Sequence, residues 1–227
     1  MIHYFKVLIL LSITFLNSNR TVGQGIGIES NSGSSYQMFL VPKEIDKSSK
    51  EYEKFASKIY LSDTFLSSEI DNFQDKVYLK YNIFKDEMEF INDNKIYYLK
   101  KNLGRKIHFF DLNIDFEIFN YKEQLTYFQI LNKNKVLLLK KYNVDFQEEK
   151  KAVSSYQQDR PANFTRKDDV FFIKLNNEII ELTSNNKKFL NLLDSPDNKI
   201  KKFITENKLT IKKERDLLKI INYYNSL

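Results

Sequence analysis

Lys76-Val77-Tyr78-Leu79-Lys80-Tyr81-Asn82-Ile83, Asp86-Glu87-Met88-Glu89-Phe90-Ile91 and Lys95-Ile96-Tyr97-Tyr98-Leu99-Lys100 are three short runs rich in aromatic and β-branched residues. Such residues suit a pleated, half-buried surface. The last two runs are separated by Asn92-Asp93-Asn94, and Asn tolerates the left-handed backbone that tight hairpins need. The same chemistry recurs at Asn132-Lys133-Asn134 and Asn176-Asn177. Only Gly104, of five glycines, lies beyond residue 33, so Asn does most of the turning.

Extending this pattern in both directions predicts strands near 69–73, 76–83, 86–91, 95–100, 105–110, 114–120, 124–131, 135–146, 169–175 and 178–182. The fold class is mainly β (α+β): an antiparallel meander or partly closed, barrel-like sheet, with short C-terminal helices. A long loop or crossover is expected from Glu148 to Thr165, where charges, Ser154-Ser155 and Arg160-Pro161 interrupt the strand pattern. A further strand is expected over Tyr36–Val41, ended by Pro42.

Helical signals flank the strand block. Ser48-Ser49-Lys50-Glu51 has capping-box spacing, and Tyr52, Phe55, Ala56 and Ile59 follow on one stripe, which predicts a helix near 49–59. At the other end a helix near 187–193 is expected. A second starts at Ser195-Pro196, carries Ile200, Phe203 and Ile204 on one face and stops at Asn207. Thr210 is the expected cap of a last helix with Leu217, Leu218, Ile221 and Tyr224 on its stripe.

The N-terminus has a different character. One positive charge, Lys6, precedes the apolar run Val7–Leu16 and the polar Asn17-Ser18-Asn19-Arg20, the layout of a signal peptide. A membrane-crossing helix needs roughly 20 apolar residues, so the reading is a segment of residues 1–23 removed on export and no integral span in the mature chain. The division is then 1–23 signal peptide, 24–48 flexible lead, 49–183 antiparallel β-domain and 184–227 basic helical segment packed on it. With no cysteine in the chain, a disulfide or a lipidated N-terminal cysteine is excluded. The core alone holds the fold, and 19 Phe and 14 Tyr supply it.

Charge is uneven along the chain. The net charge is +6; residues 1–23 contribute +2 from Lys6 and Arg20, and residues 184–227 contribute +5 from ten basic and five acidic side chains, leaving −1 for residues 24–183. Five Arg accompany 31 Lys, whereas bidentate reading of phosphates and bases favours Arg. Nucleic acid is therefore not the expected partner.

Missing residue types exclude more chemistry than present ones suggest. Beyond residue 23 the one histidine is His108, so a Cys/His nucleophilic pair, a multi-histidine zinc site within one chain and a cysteine metal site are all excluded. Glycine-rich phosphate loops are absent as well, and no cofactor is expected. His108, with Asp111 nearby, is a candidate general base, but a lone strand histidine is more often a surface or hydrogen-bonded residue; alternation puts it on one face with Phe110. Paired carboxylates at Asp86, Glu87 and Glu89, or at Asp168-Asp169, can do acid and base work. Turns and half-solvated strands explain the same residues. A calcium loop at Asn92-Asp93-Asn94 is weaker than a hairpin turn there. Aromatic and Lys residues alternate along Tyr78–Tyr81 and Tyr97–Lys100, which suits a sugar-stacking face or, more simply, a sheet face with a Lys-fringed edge. No residue is assigned as catalytic or metal-binding, and the binding residues are left open.

The stretch Tyr60-Leu61 through Phe65, the run Leu79–Phe90, the segment Arg160–Asp169 and the Lys-rich end closing on Tyr223-Tyr224-Asn225 together resemble an uncharacterised family of exported bacterial envelope proteins, over roughly residues 60–227. The resemblance implies a bacterial source and a periplasmic or extracellular address. It brings no assigned activity and no functional residue. Three readings follow in order: a non-enzymatic domain that binds an envelope protein or surface polymer, a carrier of an apolar ligand in a sheet cavity, and a carboxylate-based glycan hydrolase.

Overall fold

Pairing register sorts the strand residues into two faces, and ring contacts show which face is inside. The computed structural model describes residues 40–41, 55–73, 75–92, 95–152, 158–193 and 198–227. In chain order the strands are β1 (Leu40–Val41), β2 (Leu66–Ile70), β3 (Val77–Asn82), β4 (Glu87–Asn92), β5 (Lys95–Leu99), β6 (Lys106–Phe109), β7 (Ile114–Tyr121), β8 (Gln124–Ile130), β9 (Leu137–Lys141), β10 (Val144–Gln147), β11 (Asn163–Arg166), β12 (Val170–Leu175) and β13 (Glu178–Glu181). The helices are α1 (Ala56–Ile59), α2 (Asn186–Leu192), α3 (Lys199–Glu206) and α4 (Glu214–Asn225). The fold is mainly β, a curled antiparallel half-barrel with four short helices among the described residues.

One sheet runs in the order β1-β5-β4-β3-β2-β6-β7-β8-β9-β12-β13, and β10 and β11 form a separate pair. Tyr81 on β3 meets Phe116 on β7 with ring centroids 5.0 Å apart and Tyr127 on β8 at 5.8 Å. Neighbouring strands lie about 4.8 Å apart, so strands separated by two others touch this closely only if the sheet curls around the face that carries them. That concave face is filled by one cluster including Leu79, Tyr81, Met88, Phe109, Phe116, Ile118 and Tyr127. The β3–β4 turn completes the closure, because Asp86 accepts hydrogen bonds from the Tyr81 hydroxyl at 2.7 Å and from the Tyr127 amide at 3.3 Å.

The helices extend the concave side at its far end. Leu217, Ile220 and Ile221 of α4 pack with Phe189 of α2 and Ile200 of α3 against Leu138 and Ile173. Register places those last two opposite one another on β9 and β12. On the other, convex face Phe119, Phe128, Leu139 and Phe172 form a smaller cluster.

Most strand positions follow the sequence pattern; β2 starts three residues before the expected 69–73, and four further departures concern topology, strand 135–146, the 148–165 loop and the last helix cap. The topology is not a simple meander: after β5 the chain returns to place β6 beside β2. Gly104 at φ 77° and the Arg105 Nη1 bond to the Lys100 carbonyl at 2.6 Å shape the returning loop. The strand expected over 135–146 is two, since Tyr142 turns into the core to donate to Gln129 Oε1 at 2.6 Å and β10 leaves the sheet. The interval expected as loop, 148–165, holds the start of β11, whose Phe164 is clasped by Phe55, Phe84 and Phe146 at 5.2, 4.8 and 4.7 Å. Thr210 does not cap the last helix, which begins four residues later; its Oγ1 accepts from the Lys212 amide while Asp216 takes the Thr210 amide.

Turn chemistry is partly as read. Asn72, Asn113 and Asn176 hold positive φ, but so do Lys122 and Glu123, the two central residues of the β7–β8 hairpin. That pair is the backbone signature of a type I′ turn, built without Asn or Gly. The segments 1–23 and 24–39, the capping box Ser48–Glu51, Asp93-Asn94, Ser154-Ser155 and Ser195-Pro196 lie outside the described residues.

Candidate functional site

Register brings together on the convex face residues that are far apart in sequence. Glu69 on β2 stands opposite His108 on β6, and His108 stands opposite Asp115 on β7. One step along, Lys106 stands opposite Glu117. These side chains line an open groove of about 490 Å³ together with Asp71, Ile130, Lys133 and Leu137. The Asn132 side chain fixes one end: Oδ1 accepts from the Leu138 amide at 2.6 Å and Nδ2 donates to the Val136 carbonyl at 2.9 Å, which holds the β8–β9 bend that presents Lys133.

His108 Nδ1 donates to Asp115 Oδ1 at 2.7 Å, and Lys133 Nζ lies 2.8 Å from Asp115 Oδ2. Burial pushes the Asp115 carboxyl up, but the Lys133 and His108 hydrogen bonds outweigh it and hold the group below its ordinary value. Glu117 is shifted the other way. Burial raises it, Lys106 and Lys174 oppose, and Asp71 adds to the rise. Among the described residues the carboxylates of Glu69 and Glu117 accept no hydrogen bond, so unused acceptors stand beside the donors Lys106, His108 and Lys133 over the apolar side chains Ile130 and Leu137.

The other carboxylates singled out from sequence are structural. Asp111 accepts from the Ser67 amide at 3.0 Å and does not touch His108; alternation did place His108 with Phe110, and their rings meet at 5.0 Å. Asp86 sits in its turn at φ 55° and pairs with Lys101 at 2.9 Å. Asp169 precedes β12, 3.8 Å from Arg166, and burial raises its carboxyl.

Glu89 is not half-solvated as alternation suggested. It is 1% exposed, because Tyr60, bridged to Asn82, covers this part of the convex face. Its carboxylate accepts from Asn82 Nδ2 at 3.0 Å and from the Tyr60 hydroxyl at 2.9 Å. Burial raises its proton affinity above the ordinary range although both hydrogen bonds pull it down. Tyr98, on the same face, is pushed up to about 12 by burial and then by Glu89 and Glu87. Lys80 lies over the Tyr60 ring at 4.1 Å, so its neighbours cover this part of the alternating Tyr and Lys stretch, while Tyr78 stays exposed.

Sequence reasoning passed over Glu69, Lys106, Asp115, Glu117 and Lys133. A signal existed in the period-two polar residues of 106/108 and 115/117, but only register shows that these strands lie side by side. Among the described residues no cluster of three or more His, Asp or Glu is arranged to hold a metal ion, and no helix is long and apolar enough to cross a membrane. No family model, curated protein or solved structure matches the chain.

Proposed function

We propose that the protein is an exported, periplasmic or extracellular, non-enzymatic binding domain, and that the convex groove holds a hydroxyl-rich segment of a surface polymer. One observation carries this reading: unused carboxylate acceptors, Glu69 and Glu117, flank the donors Lys106 and His108 above an apolar floor in an open groove of about 490 Å³. A hydroxyl both donates and accepts, so a polyol satisfies both kinds of group at once. Its C–H surface suits Ile130 and Leu137, and the volume falls in the range of ligand sites.

Two features favour binding over the other readings. The concave face that an apolar cargo would occupy is packed with Tyr81, Phe109, Phe116 and Tyr127, each 0–1% exposed. In the groove Asp115 is engaged by both His108 and Lys133, and among the described residues the lining contains no serine or threonine to serve as a nucleophile for His108.

The test is a titration of the ¹⁵N-labelled protein with neutral oligosaccharides, followed by amide shifts and by chromatography of the ligand. Saturable shifts at residues 69, 106–108 and 115–117, weakened by Glu69→Gln or Glu117→Gln, are expected with the sugar recovered intact. Shifts confined to other surfaces would place the site elsewhere, and cleaved sugar would make the protein an enzyme.

A further inference from the structure

Of the three acids among the described residues of the C-terminal segment, two are tied into the fold and one, Glu206, is exposed beside the cations. Of the two, Glu214 is drawn to Lys140 on β9 at 2.7 Å, and Asp216 is 5% exposed and accepts from the Thr210 amide at 3.1 Å. Its cations face out: Lys199, Lys201 and Lys202 on α3, and Lys212, Lys213 and Arg215 at the start of α4, are all exposed. Among the described residues none of the segment's lysines makes an ion pair, and Arg215 reaches only Asp216, at 3.6 Å. Helices α3 and α4 lie against each other through the stacked rings of Phe203 and Tyr223, 4.0 Å apart and 12° from parallel. The basic outer surfaces of the two are thus held side by side. By contrast Lys140 on β9 and the loop residues Lys101, Lys133 and Lys167 each face a carboxylate within 4 Å.

We infer that this helical face docks the protein on an anionic phospholipid bilayer. All but one of the cations are lysines, compact hydrated charges that suit a diffuse negative surface rather than bidentate capture of one phosphate. A lysine near such a surface contributes attraction worth roughly a fivefold gain in affinity, and the gains multiply. Apolar side chains adjoin the cations: Phe203, Tyr223 and Tyr224 are half-buried, the two tyrosines packed on the helical core, and Leu227 is 56% exposed. The groove opens on the convex face, and although its lining residue Asn134 donates to Asn222 Oδ1 of α4 at 3.1 Å, none of these cations lines it.

The experiment is co-sedimentation of the full protein with phosphatidylcholine vesicles that contain or lack phosphatidylglycerol. Binding is expected only with the anionic lipid, and it should vanish near 1 M salt, where the screening length is about 3 Å. Lys201→Gln/Lys212→Gln/Lys213→Gln should weaken it roughly a hundredfold. The control Lys122→Gln/Lys150→Gln/Lys151→Gln, which removes equal charge elsewhere, should leave most of it, and the groove variant Glu69→Gln all of it. Equal binding to both vesicle types, equal loss in the two lysine triples, or capture of soluble polyphosphate without sedimentation on vesicles would each overturn the inference.

Discussion

Two polar clusters share the convex face, and they are built on opposite terms. Around Asp115 two groups that can carry positive charge, His108 and Lys133, approach within 2.8 Å while the carboxyl stays 31% exposed, and its proton affinity falls. Around Glu89 the direct partners are neutral, Asn82 and Tyr60, the residue is 1% exposed, and its proton affinity rises. Whether burial or pairing wins is thus set by what covers the carboxylate. Tyr60 closes one cluster and spends its acceptors on the fold. Nothing equivalent caps the other among the described residues, and the unused acceptors beside it, Glu69 and Glu117, stay open to the groove.

The sharpest way to break that contrast is Glu89→Ala. It leaves the Asn82 amide and the Tyr60 hydroxyl without their acceptor in a buried place, and each such group costs about 1–3 kcal/mol. A loss of about 3 kcal/mol in urea unfolding is expected; a loss below about 1 kcal/mol would mean that water reaches the cluster and that it is not closed. Tyr60→Phe comes next. It removes one hydrogen bond to a charged acceptor, about 1.5–3 kcal/mol, and should raise the Glu89 carboxyl further. A carboxyl NMR titration that found it lowered would show that the covering ring, not the hydroxyl, controls it.

The two clusters also predict opposite slopes of stability against pH. Glu89 has a raised value in the folded state, so its contribution is complete below the ordinary glutamate range and is lost as pH rises through the raised value. Asp115 has a lowered value, so its contribution is present above the ordinary aspartate range and is lost as pH falls through the lowered one. Subtracting the Glu89→Gln stability profile from the wild-type profile should give a curve that falls with pH. The same subtraction for Asp115→Asn should give one that rises, and two curves of the same sign would refute the contrast.

Which parts were legible from sequence follows the range of the interactions. The β12–β13 hairpin was readable because Asn176 and the alternation on both sides of it are local. The side-by-side placement of His108 and Phe110 was readable for the same reason. The partner of His108 was not, because the nearer aspartate, Asp111, is consumed by the Ser67 amide on a strand from the first part of the sheet. Glu89 was misread because alternation reports which face a residue occupies, not whether that face is wet. Its cover is Tyr60, 29 residues earlier. The return that sets β6 beside β2 leaves no local mark either, since each hairpin on both sides of it is regular.

The smallest expected effect is also the most discriminating. Lys133 is 79% exposed at its 2.8 Å contact with Asp115, so water competes for both partners and the pair adds about 0.5 kcal/mol or less to stability. Lys133→Ala should leave the unfolding midpoint nearly unchanged. Yet that hydrogen bond is the largest influence lowering the Asp115 carboxyl, so its NMR titration should move up toward the ordinary aspartate range. A residue that sets the protonation of a groove carboxylate without contributing to the fold is what an open site requires and a closed one lacks. If the substitution instead cost more than about 1 kcal/mol, the His108–Asp115–Lys133 cluster would be a structural clamp like that of Glu89, and the groove would lose its claim as the binding site.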